Sequence, residues 1–462
     1  MKKFDAIIIG SGQGGTPLAK ALAKEGWKTA MIEKAYAGGT CINYGCTPTK
    51  TMISCAKAAY NIRHAKQWGI DVNDYSVNIN AIIDFKERIV TESRNGSHDG
   101  LTTIDNLEYI EGEAKFTGLK QLMIELNDGT KQQLTADKIF IDAGTSALIP
   151  QIEGLENIDY HTSQTLLELR AIPESLIIVG ASYIALEFGQ MYNRFGSKVT
   201  ILEKGKDFLP KEDRDIAACM RQILEEENIK IYTGVEVASV KTSTKNLEVN
   251  ISVNENQLIL SGTHLLIATG RTANTKALNL SATNVDVDER GFIKVNGKLE
   301  TSAAGIYALG DINGGPQFTH ISYNDYIIIK NNLLKNKNLT TAQRPVPYCV
   351  FTDPQLARIG LSETEARNQK LNIEVATLSM RHVARARETN HTKGMMKAIV
   401  DADTKLILGV AVIGEEGGET MATLQMAMQA QIPYPQLAEM IIAHPTYAES
   451  INNLFLSLIK DA

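Results

Sequence analysis

Two cysteines five positions apart, Cys41 and Cys46, lie in the run Gly38-Gly39-Thr40-Cys41-Ile42-Asn43-Tyr44-Gly45-Cys46-Thr47-Pro48-Thr49-Lys50. Thiols at this spacing can open and close a disulfide if the chain turns tightly enough to bring the sulfurs together. Gly45 is expected to permit that turn, and Pro48 suits the first turn of a helix that follows. Cys46 then sits beside a helix N-terminus, whose partial positive charge favours a thiolate. By spacing alone, two packed thiols in a loop would be the commoner outcome. The rest of the chain reverses that and makes the pair a redox-active disulfide. Metal binding would need more ligands, and no further Cys or His lies within a few residues, so no metal site is expected. Cys55, Cys219 and Cys349 read as packed thiols.

The elements that must position the pair are legible on both sides of it. The sequence opens with an apolar strand, Ala6-Ile7-Ile8-Ile9, then Gly10-Ser11-Gly12-Gln13-Gly14-Gly15, a helical run from Thr16 to Glu25, and a second strand from Thr29 to Ile32 that ends at Glu33. Gly10, Gly12 and Gly15 in this strand, turn, helix, strand setting form a dinucleotide fingerprint, with Glu33 placed to accept from a ribose 2′-hydroxyl. The chain then repeats itself. Leu176-Ile177-Ile178-Val179 leads into Gly180-Ala181-Ser182-Tyr183-Ile184-Ala185, a helix to about Phe195, and a strand from Lys198 to Leu202 ending at Glu203. Glu33 follows Gly10 by 23 residues and Glu203 follows Gly180 by the same 23, which argues for two dinucleotide sites. Ser182 replaces the second glycine with a residue whose Cβ crowds a pyrophosphate, whereas Ala185 in the third place still allows close helix packing.

Between the repeats, Gln121 to Leu134 alternates like a hairpin around Asn127-Asp128-Gly129, and Lys138 to Ala143 returns as a strand to Gly144. The same layout recurs from Leu247 to Leu260 and from Leu265 to Gly270. Pro150 and Pro173 bracket a crossover. Ile306 to Leu309 is a further strand, ending in Gly310-Asp311, where a polar ligand contact belongs, and Thr319 to Leu334 is a helix. Lys335 to Arg344 reads as a linker. From Val346 the composition shifts to strands (Met395 to Val400, Leu406 to Ile413) and helices (Ser362 to Lys370, Glu419 to Gln431, Tyr434 to Ile441), a separate domain in which Met421, Leu424 and Met428 share one apolar face. In Ala443-His444-Pro445-Thr446-Tyr447-Ala448-Glu449, the carboxylate can return to the His444 ring nitrogen and fix its tautomer. The other seven histidines show no comparable partner.

The chain has 462 residues, 44% hydrophobic and 22% charged, which is the composition of a soluble protein of several domains. A net charge of -6 with both signs interspersed leaves no footprint for a nucleic-acid or membrane partner. Five cysteines do not make a disulfide scaffold, Met1-Lys2-Lys3 runs straight into a strand, and the expected compartment is the cytoplasm.

Taken together, the cysteine stretch, the Glu187-bearing helix after Gly180, the Ala268-Thr269-Gly270-Arg271 turn, Gly310-Asp311 and His444-Pro445-Thr446 resemble, in order and spacing, the class I pyridine nucleotide-disulfide oxidoreductases. The resemblance covers nearly the whole chain. It implies an α/β fold of two Rossmann-like domains, for FAD and NAD(P), plus a C-terminal α+β dimerisation domain: residues 1–149 and 273–344 for FAD, 150–272 for NAD(P), 345–462 for dimerisation. The matching cofactor positions are Gly10, Gly12, Gly15, Glu33, Gly39, Thr40, Lys50, Ala114, Gly144, Asp311 and Thr319, then Gly180, Ile184, Glu203, Val237, Gly270 and Arg271. Lys50 and Glu187 match the family's ion pair near flavin N5, and Thr319 and His320 open a helix toward the flavin's pyrimidine edge. In the implied chemistry, electrons pass from the nicotinamide through the flavin to Cys46, Cys41 is released to attack the acceptor, and His444, held by Glu449 and donated across a homodimer interface, moves the proton.

Glu203 favours NADH, since a carboxylate there repels a 2′-phosphate, although Lys204 and Lys206 lie close by. Thr47, Thr49 and Tyr44 depart from the usual dihydrolipoamide dehydrogenase pattern, and no cysteine follows Cys349, as efficient mercury handling would need. The run Phe208-Leu209-Pro210-Lys211-Glu212-Asp213-Arg214-Asp215-Ile216-Ala217 is similar to reactive-chlorine-resistance flavoproteins of the mercuric-reductase-like branch. The expected acceptor is therefore a small oxidant, disulfide or metal ion. The alternatives are dihydrolipoamide dehydrogenase and a flavin redox sensor without turnover, the latter opposed by the retained His444 and Glu449.

Overall fold

A computed structural model describes residues 1–244, 246–253 and 256–459. Strand β1 (Lys2–Ile9) is buried continuously from Ala6, as a central parallel strand must be. It turns into α1 (Gly15–Lys24), which packs Leu18, Ala19, Leu22 and Ala23 onto the sheet, and returns as β2 (Thr29–Glu33) beside β1. Two helices, α2 (Gly39–Asn43) and α3 (Cys46–Arg63), carry the cysteines. The 24-residue α4 (Ile79–Thr102), capped by Asn78 accepting from the Ala81 N–H, follows them. Then come β3 (Leu107–Gly118), β4 (Gln121–Leu126) and β5 (Lys131–Ile141).

β5 corrects the sequence reading, which divides it into a hairpin arm and a returning strand. It is one strand with a neighbour on each edge, antiparallel to β4 up to Thr135 and parallel to β1 from Leu134 onward, Leu134 and Thr135 pairing with both. A strand can gain or lose a neighbour without breaking, so the pattern shift at residues 134–138 marks a change of sheet environment and no turn.

β6 (Thr145–Ala147) leads to the short α5 (Ser163–Leu166) and to a second construction of the same kind. Its parallel strands are β7 (Ser175–Val179), β8 (Lys198–Glu203) and β9 (Lys230–Thr233), joined by α6 (Tyr183–Phe195) and α7 (Arg214–Glu226). An antiparallel meander of β10 (Val235–Ser243), β11 (Asn246–Val253) and β12 (Asn256–Gly262) follows, and β13 (His264–Ile267) returns beside β7. β14 (Arg271–Ala273) pairs with β6, tying the two constructions together. β15 (Ile306–Ala308) and α8 (Thr319–Lys335) then rejoin the first, β15 lying beside β5.

The last part is a five-stranded sheet ordered β16-β17-β20-β19-β18, with β16 (Tyr348–Val350), β17 (Gln355–Gly360), β18 (Ile373–Ser379), β19 (Met395–Asp401) and β20 (Ile407–Gly414). Its helices are α9 (Glu363–Asn368), α10 (Ala384–Glu388), α11 (Gly417–Gln429), α12 (Tyr434–Ala438) and α13 (Ser450–Leu456). Met421 and Leu424 are buried and Met428 packs against the same core. The helix expected to reach Ile441 stops at Ala438 instead. The Asn452 amide of α13 donates to the carbonyls of Leu437, Ala438 and Met440, satisfying the end of α12 from outside and letting the chain leave. Among the described residues no helix is long and apolar enough to cross a membrane.

Candidate active site

Cys41 lies within α2 and Cys46 is the first residue of α3. The turn expected at Gly45 is there, between α2 and α3, with φ −125 and ψ −111; the left-handed Gly38 (φ +95) and Gly39 (φ +61) open α2 ahead of it. Glycine suits that turn, since a Cβ at Gly45 would stand a tight 3.0 Å from the Thr40 carbonyl oxygen. Both cysteines are free thiols and hydrogen-bond to each other. The bond from Cys41, with contributions from Thr319 and the Lys50 ammonium, outweighs burial and brings the Cys46 thiol down to about 6. Cys41, which donates that bond and is also buried, is pushed up. Thr319, the first residue of α8, places its Oγ1 3.4 Å from Cys46 Sγ.

Lys50 Nζ is 2.7 Å from Glu187 Oε2, and Glu187 is 3% exposed. α3 and α6 pack together through Met52, Ala56, Ala185 and Leu186, which brings the pair into register across 137 residues of sequence. The other Glu187 oxygen accepts from the Phe351 N–H at 2.9 Å, and the Phe351 ring lies 4.7 Å from Lys50 Nζ. Phe351 follows β16, so all three parts of the molecule meet at this carboxylate. Sequence reasoning missed Phe351, since an apolar residue after a strand carries no chemical signal.

The two glycine turns are held alike. Gly10 (φ +101) and Gly180 (φ +104) leave their strands left-handed, and a Cβ on either would stand 2.3 Å from a carbonyl oxygen, of Asp142 and Ala268 respectively. Glu33 accepts from the Ser11 N–H, the Ser11 hydroxyl and the Ala35 N–H, and Glu203 from the Ala181 and Gly205 N–H groups. Gly12 and Gly15 face the Asp142 carboxyl, and Gly39 lies against Gly12. Asp142 was not anticipated, although an acid inside an apolar strand is a signal that could have found it. Asp311 accepts from the Thr145 hydroxyl at 3.1 Å, and the Arg271 guanidinium, bonded to Thr145, is 3.9 Å from Asp311. Arg271 thus reaches across to the first unit.

Gly144 (φ +64) and Gly270 (φ +125) lie at corresponding places, each three residues beyond the end of β5 or β13. Ile184 is the second residue of α6, Thr40 the second of α2, and Val237 lies at the bulge of β10. Ala114 has its side chain in the core, leaving only its backbone to meet a ligand.

His444 Nδ1 lies 2.9 Å from Glu449 Oε2, the return contact expected from their spacing. No hydrogen bond joins the pair to the cysteines of the same chain among the described residues. The His444 side chain is 65% exposed, and Ile441 beside it is 99% exposed. Two other histidines do lie beside carboxylates, contrary to the sequence reading: His98 Nδ1 is 3.5 Å from Oδ1 of the adjacent Asp99, and His391 Nδ1 is 3.0 Å from Glu415 Oε2, a contact 24 residues apart that spacing does not reveal. His320 Nε2 meets the Pro347 carbonyl at 2.7 Å.

A nucleotide turn in each of two units and a thiol pair at the head of a helix between them define a pyridine nucleotide-linked disulfide reductase. The pyridine nucleotide-disulphide oxidoreductase profile matches residues 4–325 and that of the family's dimerisation domain matches residues 346–455; the chain belongs to this family. It is 38% identical over 464 residues to the probable pyridine nucleotide-disulfide oxidoreductase RclA of Escherichia coli (strain K12), covering 100% of each chain. It is 33% identical to a mercuric reductase of Lysinibacillus sphaericus, over 99% of this chain and 83% of that one. A dihydrolipoyl dehydrogenase of Thermus scotoductus is 32% identical, over 100% of this chain and 99% of that one. Among solved structures, the Cu(II) complex of the HOCl-induced flavoprotein disulfide reductase RclA from Escherichia coli matches with a TM-score of 0.91 at 37% identity, over 100% of each chain. Membership makes the protein a flavoprotein oxidoreductase whose cofactors are FAD and a nicotinamide, and its dimerisation domain supports a homodimer.

Proposed function

We propose that this protein takes electrons from NADH and delivers them through FAD and the Cys41–Cys46 pair to a small oxidant or metal ion. The observation that carries the reading is the mutually bonded thiol pair, with Cys46 depressed at the head of α3 beside Thr319 and Lys50. The first turn suits FAD because Gly10, Gly12 and Gly39, where a Cβ would run into Asp142 or into Gly12, let the loop close tightly at the head of α1, with Glu33 at the strand end for a ribose. Gly15, Thr40, Ala114 (by backbone), Gly144, Asp311 and Thr319 complete that site in the proposal. Gly180, Ile184, Glu203, Val237, Gly270 and Arg271 serve the nicotinamide. We assign residues 1–149 and 273–344 to the FAD domain, 150–272 to the nicotinamide domain and 345–462 to dimerisation.

Bound FAD supplies the two-electron link between nicotinamide and disulfide. The protein does the rest. Lys50, held by Glu187 and by the Phe351 ring, presents a fixed positive charge where that transfer occurs. Cys46 is a thiolate at neutral pH, stabilised by Cys41 and Thr319. Cys41 keeps its proton until a base takes it, and then attacks the acceptor. His444 is that base: Glu449 occupies its Nδ1, leaving Nε2 free to receive the proton. Its exposure beside Ile441 supports donation across the dimer interface to the partner's thiols. As two electrons leave to the acceptor, the sulfurs rejoin. Glu203 favours NADH over NADPH, and the reducing chemistry suits the cytoplasm.

The relative's Cu(II) complex makes Cu²⁺ one acceptor to try. Purified yellow protein mixed anaerobically with NADH, then with Cu²⁺, Hg²⁺, hypothiocyanite or lipoamide in turn, should oxidise NADH rapidly with one of the first three. Rapid turnover of lipoamide instead would make the protein a dihydrolipoamide dehydrogenase. Cycling of the disulfide with no acceptor turnover would make it a sensor.

A further inference from the structure

The two turns differ in what stands behind them. Asp142 and Ala268 are equivalent, each offering its carbonyl to the first glycine, and Gly12 and Gly15 correspond to Ser182 and Ala185. In the second unit both of those positions carry side chains, and the residue equivalent to Asp142 is an alanine. In the first unit a Cβ at Gly12 or Gly15 would come within 2.6 or 2.9 Å of Asp142 Oδ2, so the carboxyl fills the space that side chains fill in the second.

Asp142 is 8% exposed, and among the described residues its carboxyl receives one hydrogen bond, from the Gly15 N–H at 2.7 Å. Three carboxylates act on it: Asp311 after β15, Asp325 in α8 and Glu33 at the end of β2. The first turn of α1 contributes no ionisable side chain, only the partial positive charge of its N–H groups. Two of those carboxylates have cations of their own, Arg271 beside Asp311 and Arg344 on Asp325. Burial first, then the neighbouring carboxylates, hold Asp142 well above the usual carboxylate range against the pull of Gly15. A diphosphate seated on this turn adds negative charge on the same side.

We infer that Asp142 is a proton-carrying part of the FAD turn: FAD binds with this side chain as the neutral acid, so one proton enters with the diphosphate and retention of FAD weakens as pH rises. The balance is carboxylate plus proton plus FAD giving the neutral acid in the complex. This rests on the reading that the first unit takes FAD.

The test is FAD affinity of deflavinated protein, by quenching of flavin fluorescence, between about pH 5.5 and 9. Wild type should lose up to about tenfold in affinity per pH unit above the free-protein value of Asp142, until the bound-state value is passed. Asp142→Asn, which keeps an acceptor for the Gly15 N–H, should bind FAD with a flat profile and more tightly than wild type at the alkaline end. Calorimetry in buffers of different ionisation enthalpy should show uptake approaching one proton by wild type and none by the variant. Equal slopes in both proteins overturn the inference. If the variant does not fold, the wild-type proton count decides, and no uptake across the range overturns it. Failure of wild type to bind FAD at any pH would instead overturn the assignment of FAD to this unit.

Discussion

The first and second nucleotide turns use the same anchors with different exposure. Glu33 is 9% exposed and takes three donors, whereas Glu203 is partly exposed, takes two, and is followed by the exposed Lys204 and Lys206. Behind the first turn lies a buried carboxyl, and behind the second an alanine. The backbone geometry of a strand entering a helix needs the left-handed glycine and the carboxylate that collects its N–H groups. How deeply the turn is enclosed is free to vary, and under the proposed assignment the more enclosed turn would hold the resident cofactor while the more open one exchanges a co-substrate.

The widest separation should come from the first glycines. Gly10→Ala puts a methyl 2.3 Å from a carbonyl at φ +101, a conformation costing about 1–3 kcal/mol before the overlap is counted. It should yield protein without visible flavin absorbance. Gly180→Ala meets the same clash with Ala268 and should stay yellow while NADH no longer bleaches it. If both variants keep flavin and hydride transfer, the two turns do not have the separate roles assigned here.

Next in size is the cysteine pair that the first unit carries. Cys41→Ser should leave reduction of the flavin by NADH intact and abolish acceptor turnover. In reduced protein, alkylation of Cys46 followed by mass spectrometry should be half-maximal near pH 6, with the thiolate present above that value and lost below it. Thr319→Val, which removes a hydrogen bond to the sulfur, should move the midpoint upward. A midpoint near that of a free thiol would show that these contacts do not act on Cys46.

Glu203→Gln should lower the kcat/KM preference for NADH over NADPH by about tenfold, equivalent to about 1.4 kcal/mol. Glu33→Gln should leave that ratio unchanged and weaken FAD instead. An unchanged nucleotide ratio in the first variant would remove Glu203 as the selector. The smallest expected effects are at Cys55 and Cys219, which pack at the edge of the shared core. Replacing either by alanine should cost no more than about 1 kcal/mol in denaturant unfolding and leave turnover unaltered.

Much of this was legible beforehand where the signal is local. Gly10 to Glu33 and Gly180 to Glu203 each carry their whole pattern within one βαβ unit, and His444 and Glu449 lie close enough to meet. The long β5 was misjudged because alternation reports which faces are buried and says nothing of which strand lies alongside. Gly45 is legible as the turn between the cysteines, while the left-handed Gly38 and Gly39 ahead of it are not, since glycine type does not reveal the sign of φ. Met440 and Ile441 were placed in a helix that Asn452 terminates from a different element.

The sequence alone determined the two nucleotide turns, the cysteine spacing and the histidine with its carboxylate, because each is a short-range arrangement that side-chain type and backbone freedom dictate. Tertiary structure decided what surrounds them. Asp142 meets Gly15 across 127 residues, Phe351 meets Glu187 across 164, and Thr319 meets Cys46 across 273. Such contacts arise only when separate sheets pack against shared helices, and it is packing that fixes the burial and neighbouring charge on which the acidity of Cys46 and Asp142 depends.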